Sequence, residues 1–202
     1  MKRWEINNVY FSGTLAEDIN QNTDEILVKS QEKSEAIVYI PKKFSQIKQA
    51  NIKKDLFVLV YGFLSSTPDK NYIFPLNLSF SKIPQSILND VYFEGKVLHF
   101  YENNKTYRFL VESVRKDVST RIYVVAFKED FDLSPSLVSS TIFVNGFLKN
   151  VKSDNNKLEI IARDIFVRDR NSNTYSSNTP EKSDILTFPE EAHTSLDDDF
   201  DF

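Results

Sequence analysis

The sequence predicts an all-β fold: two similar small barrels in tandem, followed by a disordered acidic tail. Three observations carry this reading. Two short phrases each occur twice at nearly constant spacing, apolar residues alternate with the period of strands through the body, and carboxylates gather at the end of the chain.

The repeat comes first. Asn7-Asn8-Val9-Tyr10-Phe11-Ser12-Gly13 returns 82 residues later as Asn89-Asp90-Val91-Tyr92-Phe93-Glu94-Gly95, and Val60-Tyr61-Gly62-Phe63-Leu64 returns 84 residues later as Val144-Asn145-Gly146-Phe147-Leu148. Together these phrases contain all 4 glycines of the chain. Duplicated units at 1–84 and 85–170 follow, and two units are too few for a solenoid and suit a pair of independent small domains. A glycine inside a strand marks a bulge, a bend or a close backbone approach, and two per unit suit a small, strongly coiled barrel.

Within each unit the strands follow from alternation. Val9, Phe11 and Leu15 share one face with Gly13 while Tyr10 and Ser12 take the other, and Val58, Val60, Gly62 and Leu64 alternate with Leu59, Tyr61 and Phe63. Strands are expected at 4–17, 24–31, 35–41, 56–65 and 72–82, and again at 89–100, 105–115, 120–128, 140–150 and 157–168. Phe44, Ile47 and Ile52 have helical spacing and predict one helix before the fourth strand of the first unit. Five strands with such an insert form the layout of the five-stranded OB-fold barrel, with an SH3-like barrel as the structural alternative.

Composition narrows the chemistry. The chain has no cysteine and two histidines, His99 and His193, so it supplies neither a thiol nucleophile nor a zinc site of the usual type. There is no Walker A loop, no dinucleotide glycine loop and no H-x-x-x-H pair, so the reading is non-enzymatic, without cofactor or metal. No secretory leader and no apolar run long enough to span a membrane is present, and a cytoplasmic, nucleoid-associated protein is expected.

The net charge of −4 conceals a division. Residues 171–202 carry one lysine and eight carboxylates, a net −7, which leaves +3 on the rest of the chain. A basic body meets a polyanion and an acidic tail engages partners. The segment 170–180 is polar and poor in apolar residues, and is expected to be a disordered tether.

These residues resemble the bacterial single-stranded-DNA-binding protein family. The Asn7 to Leu15 segment resembles that family's opening strand, with a second copy at Asn89 to Val97. Tyr123-Val124-Val125-Ala126-Phe127 resembles its third strand, which carries a base-stacking aromatic at the position of Phe127, and residues 140–148 and 158–164 resemble its fourth and fifth. The first unit offers Tyr39 in its third strand but no ring opposite Phe127. Asp197-Asp198-Asp199-Phe200-Asp201-Phe202 resembles the family's acidic tip closing on Phe, with Asp201 where a proline is usual. The resemblance implies sequence-tolerant single-stranded DNA binding during replication, recombination or repair. It also implies capture of replication or repair proteins by the tip, and a homodimer that assembles four barrels.

OB folds bind single strands with aromatic rings on which bases stack and with Lys and Arg along the phosphates. The candidate DNA-binding residues of the second unit are Tyr107, Tyr123 and Phe127 with Arg108, Arg115 and Arg121, and Lys149, Lys152 and Lys157 around the last hairpin. Those of the first are Trp4, Tyr39, Tyr61, Tyr72 and Phe74. Phe11, Phe93 and Phe143 are assigned to the core, since small barrels fill their interiors with rings. The rival reading is an OB-fold protein-interaction or assembly module in which nucleic acid is incidental.

Overall fold

The computed structural model of the chain describes residues 5–31, 34–115, 118–151, 154–168 and 175–177. The described residues are mostly β. Trp4, Lys152, the Asp197 to Phe202 tip and the tether apart from 175–177 lie outside them, and Tyr175–Ser177, expected as part of a disordered tether, is a short paired strand instead.

In the first half the strands are β1 (Asn7–Leu15), β2 (Glu25–Lys29), β3 (Glu35–Tyr39), β4 (Phe57–Ser66) and β5 (Asn71–Ser81). Each alternates buried and exposed positions as its sequence does, so Val9, Phe11, Val28, Val38, Val58, Val60 and Ile73 meet inside, fully buried. The pairings close a ring: β1–β2, β2–β3, β3–β5 in parallel, β5–β4 and β4–β1. Helix α1 (Ser45–Gln49), entered through a single 3-10 turn at Lys42–Phe44, lies between β3 and β4. Phe44, Ile47 and Ile52 pack on the core from there.

The second half has β6 (Asn89–Glu102), β7 (Thr106–Arg115), β8 (Val118–Phe127), β9 (Thr141–Val151) and β10 (Asp154–Arg168), and β11 (Tyr175–Ser177) pairs with the end of β10. Its pairings repeat the order of the first, β6–β7, β7–β8, β8–β10 in parallel, β10–β9 and β9–β6. The parallel contact that closes each circuit, between the third and fifth strands, gives the OB-like connectivity.

The repeated phrases now have physical reasons. Asn7 Nδ2 donates to the Leu64 carbonyl (2.9 Å) and the Leu64 N–H donates to Asn7 Oδ1 (2.8 Å). Asn89 and Leu148 repeat the exchange at 2.9 and 2.8 Å. Both asparagines are buried, and both ends of each amide are satisfied. Gly62 and Gly146 sit where paired strands press close together. A Cβ on either would lie 2.2 Å from a carbonyl oxygen of the adjacent strand, that of Phe74 or Ile161.

The two halves are joined along β1 and β6, which pair antiparallel with Val9 opposite Val91, Asn7 opposite Phe93 and Phe11 opposite Asn89. Shifting by the 82-residue repeat exchanges the last two pairs, so a local two-fold axis passes through the Val9–Val91 pair. Further polar contacts obey the same symmetry. Ser34 Oγ donates to the Leu148 carbonyl (2.9 Å) and Thr120 Oγ1 to the Leu64 carbonyl (3.1 Å). The Glu35 N–H donates to Asn150 Oδ1 (2.7 Å) and the Arg121 N–H to Ser66 Oγ (2.9 Å). The halves expected as independent small domains thus share one sheet and a set of hydrogen bonds, two of them buried.

Candidate nucleic-acid interface

Strand alternation sends the odd-numbered residues of β3, Ile37 and Tyr39, away from the core, and does the same for Tyr72 and Phe74 on β5 and Tyr61 and Phe63 on β4. Because β3 lies beside β5 and β5 beside β4, four of these rings form a ladder. Tyr39 stacks on Phe74 at 5.8 Å and Phe74 on Phe63 at 5.0 Å, and Tyr72 lies 6.2 Å from Tyr39. Such separations fall in the favourable range for aromatic pairs, and the rings still present partly exposed faces. Ser65 Oγ donates to the Tyr72 hydroxyl at 3.1 Å, fixing the ring at one end. At the other end Arg115, from β7 of the second half, places its guanidinium 4.8 Å from the Phe63 centroid. Burial pushes the Arg115 pKa down, and among the described residues it forms no ion pair. It is a cation held over an aromatic surface.

The outer face of the second half is built differently. Arg108 lies over the Tyr123 ring at 4.1 Å, with Tyr101 6.5 Å from Tyr123. These three, with Glu102 and Asn103, line a cleft of about 360 Å³. Val125 and Phe127 continue the Tyr123 face, and Phe127 is 38% exposed. Arg108 also approaches Glu159 of β10 at 3.5 Å. Burial pushes the Glu159 carboxyl up, against the opposing pull of Arg108 and Lys149. Lys149 is directly opposite Glu159 on β9, and Lys157 lies two residues away on the same side of β10.

The remaining candidates are placed elsewhere. Tyr107 is only 8% exposed and belongs to an interior group with Phe100 and Phe109, although the Lys128 ammonium lies 5.1 Å over its ring. Arg121 is exposed and paired with Glu112 at 2.8 Å, and the Ser119 hydroxyl, followed by Arg121, holds that carboxyl below its ordinary value. Tyr61 faces outward but stacks on Tyr10 at 4.8 Å rather than on the ladder.

Tyr10 opens a second row of rings that the sequence reading did not select. Tyr61, Tyr10, Tyr92, Phe143 and Phe166 follow one another at 4.8, 6.4, 6.5 and 6.1 Å, crossing the seam between the halves. Tyr10 and Tyr92 are equivalent residues of the repeat, 38% and 37% exposed. Phe11 and Phe93 are core residues as expected, whereas Phe143 is buried within this outer row, on the opposite side of β9 from Ile142 and Val144.

No protein-family model matches the chain, and no curated protein matches it significantly. Among solved structures it is similar to the wild-type single-stranded DNA binding protein from Thermus aquaticus, with a TM-score of 0.64 at 15% identity over 83% of this chain and 95% of that one. A deletion mutant of that protein gives 0.61 at 14% identity over 93% and 98%. The likeness is one of fold. It agrees with the OB-like circuit and extends over nearly the full length of the neighbour. Among the described residues, no helix is long and apolar enough to cross a membrane.

Proposed function

We propose that the chain is a non-enzymatic protein that binds single-stranded DNA without sequence preference. Its two halves, 1–84 and 85–170, act as tandem OB-fold domains in replication, recombination or repair. The observation that carries this reading is the Tyr72–Tyr39–Phe74–Phe63 ladder capped by Arg115. Bases of any identity stack on such rings at about 1–3 kcal/mol each, while a cation at the edge takes a phosphate. The fold likeness to a protein described as binding single-stranded DNA agrees with it.

The acidic segment 171–202 then serves as the partner-binding element of a nucleoid-associated protein. Its Asp197 to Phe202 run offers rings to an apolar pocket and carboxylates to a basic rim on a replication or repair enzyme.

A second role is favoured by the seam. The exposed Tyr10 and Tyr92 rings, equivalent across a local two-fold axis, suit self-association, and we place the homodimer contact there. If the protein were only an assembly module, this row alone would matter and DNA would be incidental. Titration with oligo-dT at two salt concentrations separates the roles. DNA binding that weakens steeply with salt, through counterion release, supports the main reading, and no binding at low salt overturns it.

A further inference from the structure

The two halves differ at one position in a way the shared fold does not require. Val38 pairs with Ile73 in the first half as Val124 pairs with Ile160 in the second, and Leu64 and Leu148 lie opposite those same partners. This register makes Tyr72 and Glu159 equivalent. Where the first half adds a ring to its ladder, the second inserts a carboxylate whose side chain is 18% exposed, among the residues best suited to DNA. Tyr123 is opposite Glu159 on β8, Lys149 is opposite on β9, and Arg108 reaches it diagonally from β7.

We propose that Glu159 is an internal competitor for phosphate, holding Arg108 away from nucleic acid so that the second half engages a single strand only when a phosphate displaces this carboxylate. The inference rests on the single-stranded-DNA reading above and adds an asymmetry to it: the first half is open, the second is gated. The geometry suits exchange. The Arg108–Glu159 approach of 3.5 Å is longer than the about 2.7–2.9 Å of a closed charge-assisted hydrogen bond. The Arg108 Nε has no acceptor among the described residues, so the guanidinium keeps an unsatisfied donor. The guanidinium is already stacked on Tyr123, so releasing the carboxylate leaves a cation and a ring positioned for one nucleotide.

Glu159→Gln, Arg108→Ala and the double variant, each in the full chain and checked for fold by circular dichroism, test this by fluorescence anisotropy with labelled oligo-dT over a range of salt. Glu159→Gln should bind about two- to fivefold tighter, the scale of one partly exposed ion pair released. Its log affinity should fall with log salt more steeply by roughly 0.7, one added phosphate contact on a single strand. Both gains should vanish in the Arg108→Ala background. A folded Glu159→Gln protein that binds with unchanged or weaker affinity, while wild type binds normally, overturns the gate and leaves the DNA-binding reading standing. Absence of binding by wild type and variant alike overturns both.

Discussion

The Arg115 guanidinium of β7 lies 4.8 Å from the Phe63 ring of β4, so a residue of the second half caps the aromatic ladder of the first. The site is therefore composite, and the seam that joins the halves is what positions it.

Arg115→Ala should weaken oligo-dT binding and flatten its salt dependence by roughly 0.7 in slope, one phosphate contact on a single strand. Arg115→Lys should keep the slope while losing part of the affinity, because an ammonium lacks the planar face that stacks on Phe63. Titrations across salt check both. An Ala variant with wild-type slope would remove Arg115 from the phosphate path.

Gly62→Ala and Gly146→Ala should each destabilise the fold by about 1–3 kcal/mol or more, the scale of overpacking in a close-packed interior. The Cβ would lie 2.2 Å from a backbone carbonyl oxygen that belongs to a paired strand and cannot turn aside. Chemical denaturation measures the loss. Wild-type midpoints would show that the strands can separate there.

Tyr10→Glu together with Tyr92→Glu should leave a folded protein of about 23.5 kDa in light scattering, where the proposed homodimer has twice that mass. Carboxylates placed on each side of the two-fold axis repel one another and cannot be buried cheaply against a second copy. A wild-type chain that is monomeric at all concentrations would withdraw the homodimer.

The Glu159 carboxyl is pushed up chiefly by burial, with Arg108 and then Lys149 pulling the other way. Protonation as pH falls through this raised pKa removes the charge that competes for Arg108. The affinity advantage of Glu159→Gln over wild type should therefore be present above that pKa and fade below it. Paired titrations at descending pH read the difference, and a constant advantage would place the effect outside this carboxyl.

Much of this surface was legible in the chain, because alternation alone puts Tyr39, Tyr61, Tyr72 and Phe74 on outward faces. The same rule placed Phe63 beside Tyr61 and Phe143 opposite Ile142 and Val144. Phe143 was assigned to the core because aromatic residues in small barrels so often fill it, and Phe63 joins the ladder only through Phe74 on the paired strand. Tyr107 misled for a different reason. Alternation along β7 puts it on the same inward face as Phe109 and Val111, and its hydroxyl and neighbouring Arg108 drew the expectation to the surface instead. Glu159 was hidden because its neighbours Tyr123, Lys149 and Arg108 come from three other strands, one of them parallel. The Tyr10–Tyr92 contact was hidden because pairing between equivalent edges leaves no mark in either copy of the repeat.

The central claim is that the ladder of the first half is a stacking platform for single strands. Its most direct test is oligo-dT affinity after changing Tyr39 and Phe74 together to Ala, with circular dichroism confirming the fold. The account predicts a loss of about 2–6 kcal/mol, two stacks at about 1–3 kcal/mol each. A folded double variant that binds oligo-dT as tightly as wild type would contradict it.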